Sequence, residues 1–164
     1  MTTVAFHAME FAMQAHATQK RKYTGDPYWV HLSEVAGIVA TVRSEPEVLM
    51  TAWLHDSIED QGVCDLEITE LFGPTVARGV FMLSDIEKGN RATRQALSRE
   101  RLTSAEGWIQ DIKLADIISN VSSIKLHDPK FAVVYLREKK AMVDVLHRSN
   151  PELRRVAYDM IGEI

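Results

Sequence analysis

The sequence has little of what marks secreted, membrane or nucleic-acid-binding proteins. Its 164 residues include a single cysteine, Cys64, so no internal disulfide can form, which suits a reducing cytoplasm. No uninterrupted apolar run approaches the ~20 residues that span a bilayer. The N-terminal segment MTTVAFHAMEFAMQAH lacks the basic stretch of a signal peptide, and the net charge of −4 carries no signature of nucleic-acid binding. We therefore expect a cytoplasmic protein that binds neither DNA, RNA nor a membrane.

What the chain does contain is the apolar periodicity of helices. The hydrophobic fraction of 46% and the charged fraction of 26% are those of an ordinary globular protein, and the length fits one domain over residues 1–164. No strand, repeat, low-complexity segment or linker stands out. Helix boundaries are indicated by the loop Gly25-Asp26-Pro27, Ser33 as an N-cap, Pro46, Gly73-Pro74, Asp128-Pro129 and Asn150-Pro151. The sequence predicts an all-α fold of about seven to nine helices.

The segment WLHDSIED, residues 53–60, places a histidine and three carboxylates after an apolar helical stretch. On one continuous helix of about 3.6 residues per turn, four side chains would share one side: His55, Asp56, Glu59 and Asp60. Carboxylates that close repel one another and take up protons unless a cation lies among them. The motif is therefore compatible with a metal ion at His55 and Asp56, which need further ligands from elsewhere in the fold to complete a site. Glu59 and Asp60 would lie one turn away, where they could orient metal-bound water or accept its proton.

Two further residues are candidates for the missing ligands. His31 follows the Gly25-Asp26-Pro27 loop, and Asp116 lies in an apolar helical segment. Lys113 and Asn120 fall on the same face as Asp116, which gives that helix a polar stripe. Two histidines and two aspartates offer nitrogen and oxygen ligands without thiolate, a set that suits Mn, Fe, Co, Ni or Zn.

An adjacent His-Asp pair is by itself a weak indication of a metal site, because most such pairs are incidental. The chain has a second pair, His127-Asp128, which the capping of a helix starting at Pro129 explains. His16 fits a packed or partly exposed histidine better than a metal ligand. Spacing alone therefore leaves both a metal site and an incidental pair open for His55-Asp56.

Four ordered blocks of the sequence carry a resemblance to a known family. They are AHATQKRKYTGDPYWVHLSEVA (15–36), AWLHDSIED (52–60), ITELFGPTVARGV (68–80) and KLADIISN (113–120). In order and spacing these blocks resemble the HD-domain metal-dependent phosphohydrolases. Among these, the chain looks most similar to the hydrolase domain of the RelA/SpoT family and to its stand-alone relatives, the small alarmone hydrolases.

The resemblance implies a fold, a reaction and a set of site residues. The fold is the all-α HD domain, and the metal is usually manganese. The reaction releases pyrophosphate from the ribose 3′ position of guanosine tetra- or pentaphosphate, a nucleotide substrate, and leaves GDP or GTP. The implied residues are the metal ligands His31, His55, Asp56 and Asp116, the catalytic pair Glu59 and Asp60, and the substrate contacts Arg21, Lys22 and Asn120. Lys113, on the Asp116 face, could pair with carboxylates or reach a phosphate.

The chain also departs from the family pattern in ways that bear on the substrate. Leu32 follows His31 where the family commonly has proline, and Ile117 and Ile118 stand where it often has a basic residue and a leucine. The hydrolytic residues are intact, so the substrate is the open question. The alternatives are a 5′-nucleotidase-like HD enzyme and a non-catalytic nucleotide-binding module. The sequence also does not determine the oligomeric state, and a homo-oligomer is possible.

Overall fold

The computed structural model describes residues 2–162, with side chains from residue 4 onward. The all-α prediction is confirmed, since the described residues form helices and only one isolated antiparallel bridge, between Lys20 and Pro27. The helices are α1 (Thr2–Ala15), α2 (Trp29–Ala40), α3 (Pro46–Leu54), α4 (Ser57–Gln61), α5 (Asp65–Phe72), α6 (Pro74–Leu83), α7 (Arg91–Thr103), α8 (Gly107–His127), α9 (Pro129–Val145) and α10 (Pro151–Ile161). Within residues 2–162, no helix has the length and apolar character that crossing a membrane requires.

The helices fall into two compact units. The first extends to Ile86 and contains α1 to α6, and the second begins at Glu87 and contains α7 to α10. That residues 1–164 form one domain stays a prediction.

The first unit is built around an apolar core to which α1, α2, α3 and α6 contribute. Leu32 and Leu54 are both fully buried in this core. Each is the chain neighbour of a predicted metal ligand, because Leu32 follows His31 and Leu54 precedes His55. Burial of a leucine side chain stabilises the fold by about 2 kcal/mol, so these leucines fix the backbone from which the ligands project.

The motif helix is broken, which corrects the expectation of one continuous helix. Helix α3 ends at Leu54, and α4 does not begin until Ser57. The backbone turns between the two helices at Asp56, where φ is −99° and ψ is 0°. Helix α4 then ends at Gly62, whose φ of 64° is the left-handed cap conformation that glycine adopts without strain. This split adds a short helix, and the described residues hold ten.

Helix α2 begins earlier than the sequence predicts. Ser33 was expected to cap its N-terminus, and this is wrong because α2 starts at Trp29 and Ser33 lies inside it. The hydrogen-bonded turn after the loop explains the difference. The amide of Val30 donates to the carbonyl of Pro27 at 3.1 Å, and the amide of His31 donates to that of Tyr28 at 2.9 Å. His31 therefore occupies the first turn of a helix, which restricts its position.

In the second unit, α8 packs against α9 and α10 and is buried along most of its length. Its fully buried polar side chains are hydrogen-bonded to the chain that surrounds it. Gln110 donates to the carbonyl of Leu102 at 2.9 Å and accepts from the amide of Arg148 at 2.8 Å. Asp111 accepts from the amide of Asn150 at 2.5 Å. The polar groups of this helix therefore fix the turn that leads into α10.

The predicted boundaries at Asp128-Pro129 and Asn150-Pro151 are confirmed. The Asp128 carboxylate caps α9 by accepting from the amide of Phe131 at 3.2 Å. The side chain of Asn150 caps α10 by accepting from the amides of Glu152 and Leu153 at 3.0 and 3.2 Å. In both helices the proline takes the first position, where its missing N–H costs nothing.

The Asn150 cap gives a stability prediction. Asn150→Ala removes the oxygen that satisfies two amides of α10, and we expect the free energy of unfolding to fall by about 1 kcal/mol. Asn150→Ser keeps an oxygen acceptor and should recover most of that loss. Urea denaturation followed by circular dichroism measures both variants, and an alanine variant as stable as the wild type would show that the cap contributes nothing.

Candidate metal centre

Two histidines of the first unit converge on one carboxylate oxygen. The Nε2 atom of His55 lies 3.1 Å from Oδ2 of Asp56, and Nε2 of His31 lies 3.5 Å from the same oxygen. Both histidines are buried, at 0% and 3% exposure, and their rings meet edge to face with centroids 5.3 Å apart. The first turn of α2 and the α3–α4 junction thus bring together three of the predicted ligands.

The tautomer of His55 is set by its own helix. Its Nδ1 lies 2.8 Å from the carbonyl oxygen of Ala52. A carbonyl can only accept, so Nδ1 carries a proton and donates it. Nε2 is then the ring nitrogen suited to bind a metal, and a backbone carbonyl behind the other nitrogen is the usual second contact of a metal-binding histidine.

The spacing of these atoms fits a metal ion. Two ligands bound at ~2.1 Å and at about a right angle lie ~3 Å apart, which is close to the observed Nε2–Oδ2 separations. A ring nitrogen lone pair and a carboxylate oxygen repel each other at this range unless positive charge lies between them. The donor set of imidazole nitrogen and carboxylate oxygen suits divalent transition metals without selecting one.

The groups around Asp56 fix the orientation of its carboxylate and lower its pKa. Burial alone would raise the pKa of Asp56. Without a metal ion the two rings can be protonated on Nε2, and then the positive charge of His55 and the hydrogen bonds from His31 and His55 hold this pKa well below its usual range. The hydroxyl of Tyr28 also donates to Oδ2 of Asp56 at 2.8 Å. Tyr28 lies immediately before α2 and His31 lies in its first turn, so the start of this helix supplies both a histidine and the donor that orients the carboxylate.

Glu59 and Asp60 lie in the short helix α4, and both side chains are exposed. Each is nevertheless held by a hydrogen bond from a distant part of the first unit. Glu59 accepts from the amide of Asp85 at 2.8 Å. Asp60 accepts from the side-chain amide of Gln19 at 2.7 Å. Because α4 follows Asp56 directly, the acidic pair begins three residues after the candidate ligand.

Arg21 and Lys22 lie in a tight turn closed by backbone hydrogen bonds. The amide of Arg21 donates to the carbonyl of Asp26 at 2.8 Å, and the amide of Gly25 donates to that of Arg21 at 3.0 Å. Lys22 is exposed, with its ammonium 5.0 Å from the centre of the Tyr23 ring. The turn therefore presents two cations in the loop that leads to His31.

The second unit holds the other three predicted site residues as one group on α8. Asp116 is buried, and its Oδ2 accepts from the ammonium of Lys113 at 3.0 Å. Its Oδ1 accepts from the side-chain amide of Asn120 at 2.6 Å. The predicted polar stripe is confirmed, and the pairing of Lys113 with a carboxylate is one of the two roles expected for it. That Asp116 binds metal and that Lys113 and Asn120 contact substrate stay predictions.

Sequence reasoning did not single out Tyr28 or Gln19 as site residues. Tyr28 lies three residues before His31, which is one helical turn, and this spacing is a usable signal. Gln19 is 41 residues from Asp60 in the chain, and no local pattern predicts their contact. His16, expected to be packed rather than a ligand, is 1% exposed and stacks on Tyr28.

Comparison with known proteins places the chain in a family. Residues 8–138 match the family model of the HD domain. The chain belongs to the HD-domain family.

Its similar relatives include proteins named GTP pyrophosphokinase and guanosine-3′,5′-bis(diphosphate) 3′-pyrophosphohydrolase. The chain is 34% identical over 123 residues to the GTP pyrophosphokinase rsh of Brucella ovis and 36% identical over 120 residues to the guanosine-3′,5′-bis(diphosphate) 3′-pyrophosphohydrolase of Aquifex aeolicus. Each alignment covers 71% of this chain but only 16% and 17% of the two relatives, so the chain spans less than a fifth of their length.

Two solved structures share the fold. One is of a metazoan orthologue of SpoT that hydrolyses ppGpp and plays a role in starvation responses. It matches with a TM-score of 0.88 and 26% identity over 96% of this chain and 93% of that one. The other, from Listeria monocytogenes, has a TM-score of 0.72 and 22% identity over 85% of this chain and 96% of its own, and supports the fold alone.

The contact between Tyr28 and Asp56 gives a test of the metal centre. Tyr28→Phe removes one hydroxyl and keeps the ring, so Asp56 loses a donor that orients it, and we expect the affinity for Mn²⁺ to fall about tenfold. Isothermal titration calorimetry measures the affinity. Tyr158→Phe is the matched control, because Tyr158 makes the same hydroxyl-to-carboxylate contact with Asp144 in the second unit. Equal affinities in the two variants would remove Tyr28 from the metal centre.

Proposed function

We propose that the protein is a metal-dependent hydrolase that releases pyrophosphate from the ribose 3′ position of guanosine tetra- or pentaphosphate. The observation that supports this most is the convergence of two buried histidine nitrogens on Oδ2 of Asp56, with Glu59 and Asp60 in the helix that follows. Membership of the HD-domain family and the resemblance to the RelA/SpoT hydrolase domain support the same reaction class.

In this proposal His31, His55, Asp56 and Asp116 hold one divalent ion, and manganese is the metal that the resemblance implies. Asp116 is a suitable fourth ligand because it is buried and because Lys113 and Asn120 fix both of its oxygens. A divalent ion bound by these residues would supply an activated water molecule and neutralise charge on the attacked phosphoryl group.

Glu59 and Asp60 are proposed to manage the proton of the attacking water. One oxygen of Glu59 accepts from the amide of Asp85, and Oδ2 of Asp60 accepts from Gln19, so each carboxylate is held in a defined orientation. A carboxylate whose orientation is already fixed need not be ordered again during the reaction, which lowers the barrier to proton transfer. Both side chains are exposed, so substrate and water can reach them.

The phosphates of the substrate need cations beyond one metal ion. Arg21 and Lys22 are proposed to supply them, since the turn that carries both leads through Tyr28 to His31. Arginine matches the geometry of a phosphate with two parallel N–H bonds, and lysine adds a point charge. Asn120 and Lys113 are proposed as further contacts, in addition to their bonds to Asp116.

Asp116 gives a test of the ligand set. Asp116→Ala should lose both bound metal and hydrolysis, because it removes one of the four proposed ligands and one of the two carboxylates that offset the charge of the ion. The metal content of dialysed protein is measured by inductively coupled plasma mass spectrometry. Asp111→Asn changes another buried carboxylate of α8 and should keep its metal. Full occupancy in the Asp116→Ala variant would exclude Asp116 as a ligand.

Substrate choice tests the proposed function as a whole. We expect manganese-loaded protein to release pyrophosphate from guanosine tetraphosphate faster than it releases phosphate from GMP or dGMP, because contacts from Arg21 and Lys22 gain with the number of phosphates. Replacing both by alanine should lower kcat/KM for the tetraphosphate by about tenfold or more and leave metal content unchanged. Product analysis by ion-exchange chromatography measures all reactions side by side.

Two exposed cations of the second unit, Arg155 and Lys130, provide the control. Alanine at Arg155 and Lys130, exposed in the second unit, removes the same charge and should leave kcat/KM unchanged. Faster hydrolysis of the monophosphates would favour a 5′-nucleotidase-like enzyme. Binding of nucleotides without hydrolysis of any would favour a non-catalytic nucleotide-binding module.

A further inference from the structure

A buried histidine lies beside the candidate metal centre without belonging to the proposed ligand set. His16 follows α1 and is 1% exposed. Its Nδ1 lies 2.6 Å from Oε1 of Gln19, and an amide oxygen can only accept, so Nδ1 is the donor. The other ring nitrogen, Nε2, is buried and has no hydrogen-bond partner within the described part of the chain. The one side-chain hydrogen bond of this ring is therefore directed to Gln19.

The bond from His16 selects one orientation of the Gln19 amide. Oε1 of Gln19 accepts from His16 and also from the side-chain amide of Gln61, which leaves Nε2 of Gln19 to donate to Oδ2 of Asp60 at 2.7 Å. The flipped orientation would place an amide oxygen against the Asp60 carboxylate and an amide N–H against the N–H of His16. Both contacts are repulsive, so the proton on Nδ1 of His16 and the Asp60 carboxylate favour the same orientation of the Gln19 amide.

The same imidazole ring packs against the residue that orients Asp56. His16 and Tyr28 stack with centroids 5.1 Å apart and planes inclined by 17°. The hydroxyl of Tyr28 donates to Oδ2 of Asp56. The backbone reinforces this arrangement, because the amide of Tyr28 donates to the carbonyl of Gln19 at 3.0 Å. His16 thus contacts both Gln19, which donates to Asp60, and Tyr28, which donates to Asp56.

We propose that His16 is a positioning residue that orients Asp60 through Gln19 and Asp56 through Tyr28, an inference whose activity readout rests on the proposed function. The hydrogen bond of Nδ1 acts on Asp60, and the face of the ring acts on Asp56. These two roles are separable because one depends on a donor atom and the other on an aromatic surface.

Two substitutions at His16 separate the roles. His16→Phe keeps the ring against Tyr28 and removes the donor to Gln19. We expect kcat to fall about tenfold, a part of the hundredfold or more that a positioned acid or base contributes, with KM and Mn²⁺ affinity unchanged. His16→Asn keeps an N–H donor near the position of Nδ1 and removes the ring. We expect its Mn²⁺ affinity to fall about tenfold and its kcat at saturating Mn²⁺ to stay near that of the wild type.

Measurements that do not depend on hydrolysis accompany the kinetics. Calorimetry gives the Mn²⁺ affinity of each variant. The side-chain amide resonances of Gln19, recorded by ¹⁵N–¹H NMR on metal-free protein, report whether this amide still donates to Asp60. In His16→Phe, which keeps an aromatic ring, they should move because the hydrogen bond is lost. In His16→Asn they should move only by the ring-current shift of the lost imidazole. His7→Phe, at an exposed position of α1, is the matched control and should change neither measurement.

A double-variant cycle tests whether His16 acts through Gln19. Gln19→Ala removes the whole relay at a partly exposed position, and it should lower kcat as much as His16→Phe does. Adding His16→Phe to Gln19→Ala should then cost no more, whereas a purely structural His16 would give additive losses. If His16→Phe does not fold, Gln19→Ala carries the test, and an unchanged kcat in that variant overturns the relay.

The remaining outcomes separate this inference from the proposed function. A wild-type protein that hydrolyses no nucleotide would end the proposed function, while the NMR and calorimetry results would still decide the positioning role. An active wild type whose His16→Phe variant keeps both kcat and the Gln19 resonances would overturn the Asp60 arm. Unchanged Mn²⁺ affinity in His16→Asn would overturn the Asp56 arm.

Discussion

The position of the Asp56 carboxylate is the constraint on which the first unit depends. The Asp56 side chain is only 18% exposed. Its Oδ2 lies close to ring nitrogens of His31 and His55 and accepts from the hydroxyl of Tyr28. A charged group withdrawn from water is costly unless positive charge or donors surround it. The start of α2 and the α3–α4 junction must therefore meet at a fixed distance. The buried neighbours Leu32 and Leu54 supply the packing that holds them there.

The break between α3 and α4 allows the segment 55–60 to supply both candidate metal ligands and the acidic pair. An unbroken helix would keep His55, Asp56 and the acidic pair on one side, with spacing set by the helix alone. The turn at Asp56 instead lets its side chain join the histidines, while Glu59 and Asp60 begin a new helix with contacts of their own.

The parts of the fold that sequence could predict are those with local physical causes. Asp128-Pro129 and Asn150-Pro151 are visible because a capping side chain and a following proline act within three residues. The polar group on α8 was also visible, since Lys113, Asp116 and Asn120 are spaced at one helical turn. The start of α2 was not, because a backbone turn after Pro27 overrides the capping preference of Ser33.

The parts that sequence could not predict are the contacts between segments distant in the chain. The predicted set of metal ligands rests on the family resemblance, because spacing alone does not distinguish a metal site from an incidental pair at His55-Asp56. Tyr28 and Asp56 are 28 residues apart, and Gln19 and Asp60 are 41 apart, yet each pair is joined by one hydrogen bond. Tyr28 and Gln19 each supply a hydrogen-bond donor to a buried or constrained carboxylate. Many residues of the chain carry such a donor, so the sequence alone does not show which of them makes the contact. The Lys20–Pro27 bridge closes the loop and sets Gln19 beside Tyr28. The donor to Asp60 and the donor to Asp56 are therefore neighbours in space, although they are nine residues apart in the chain.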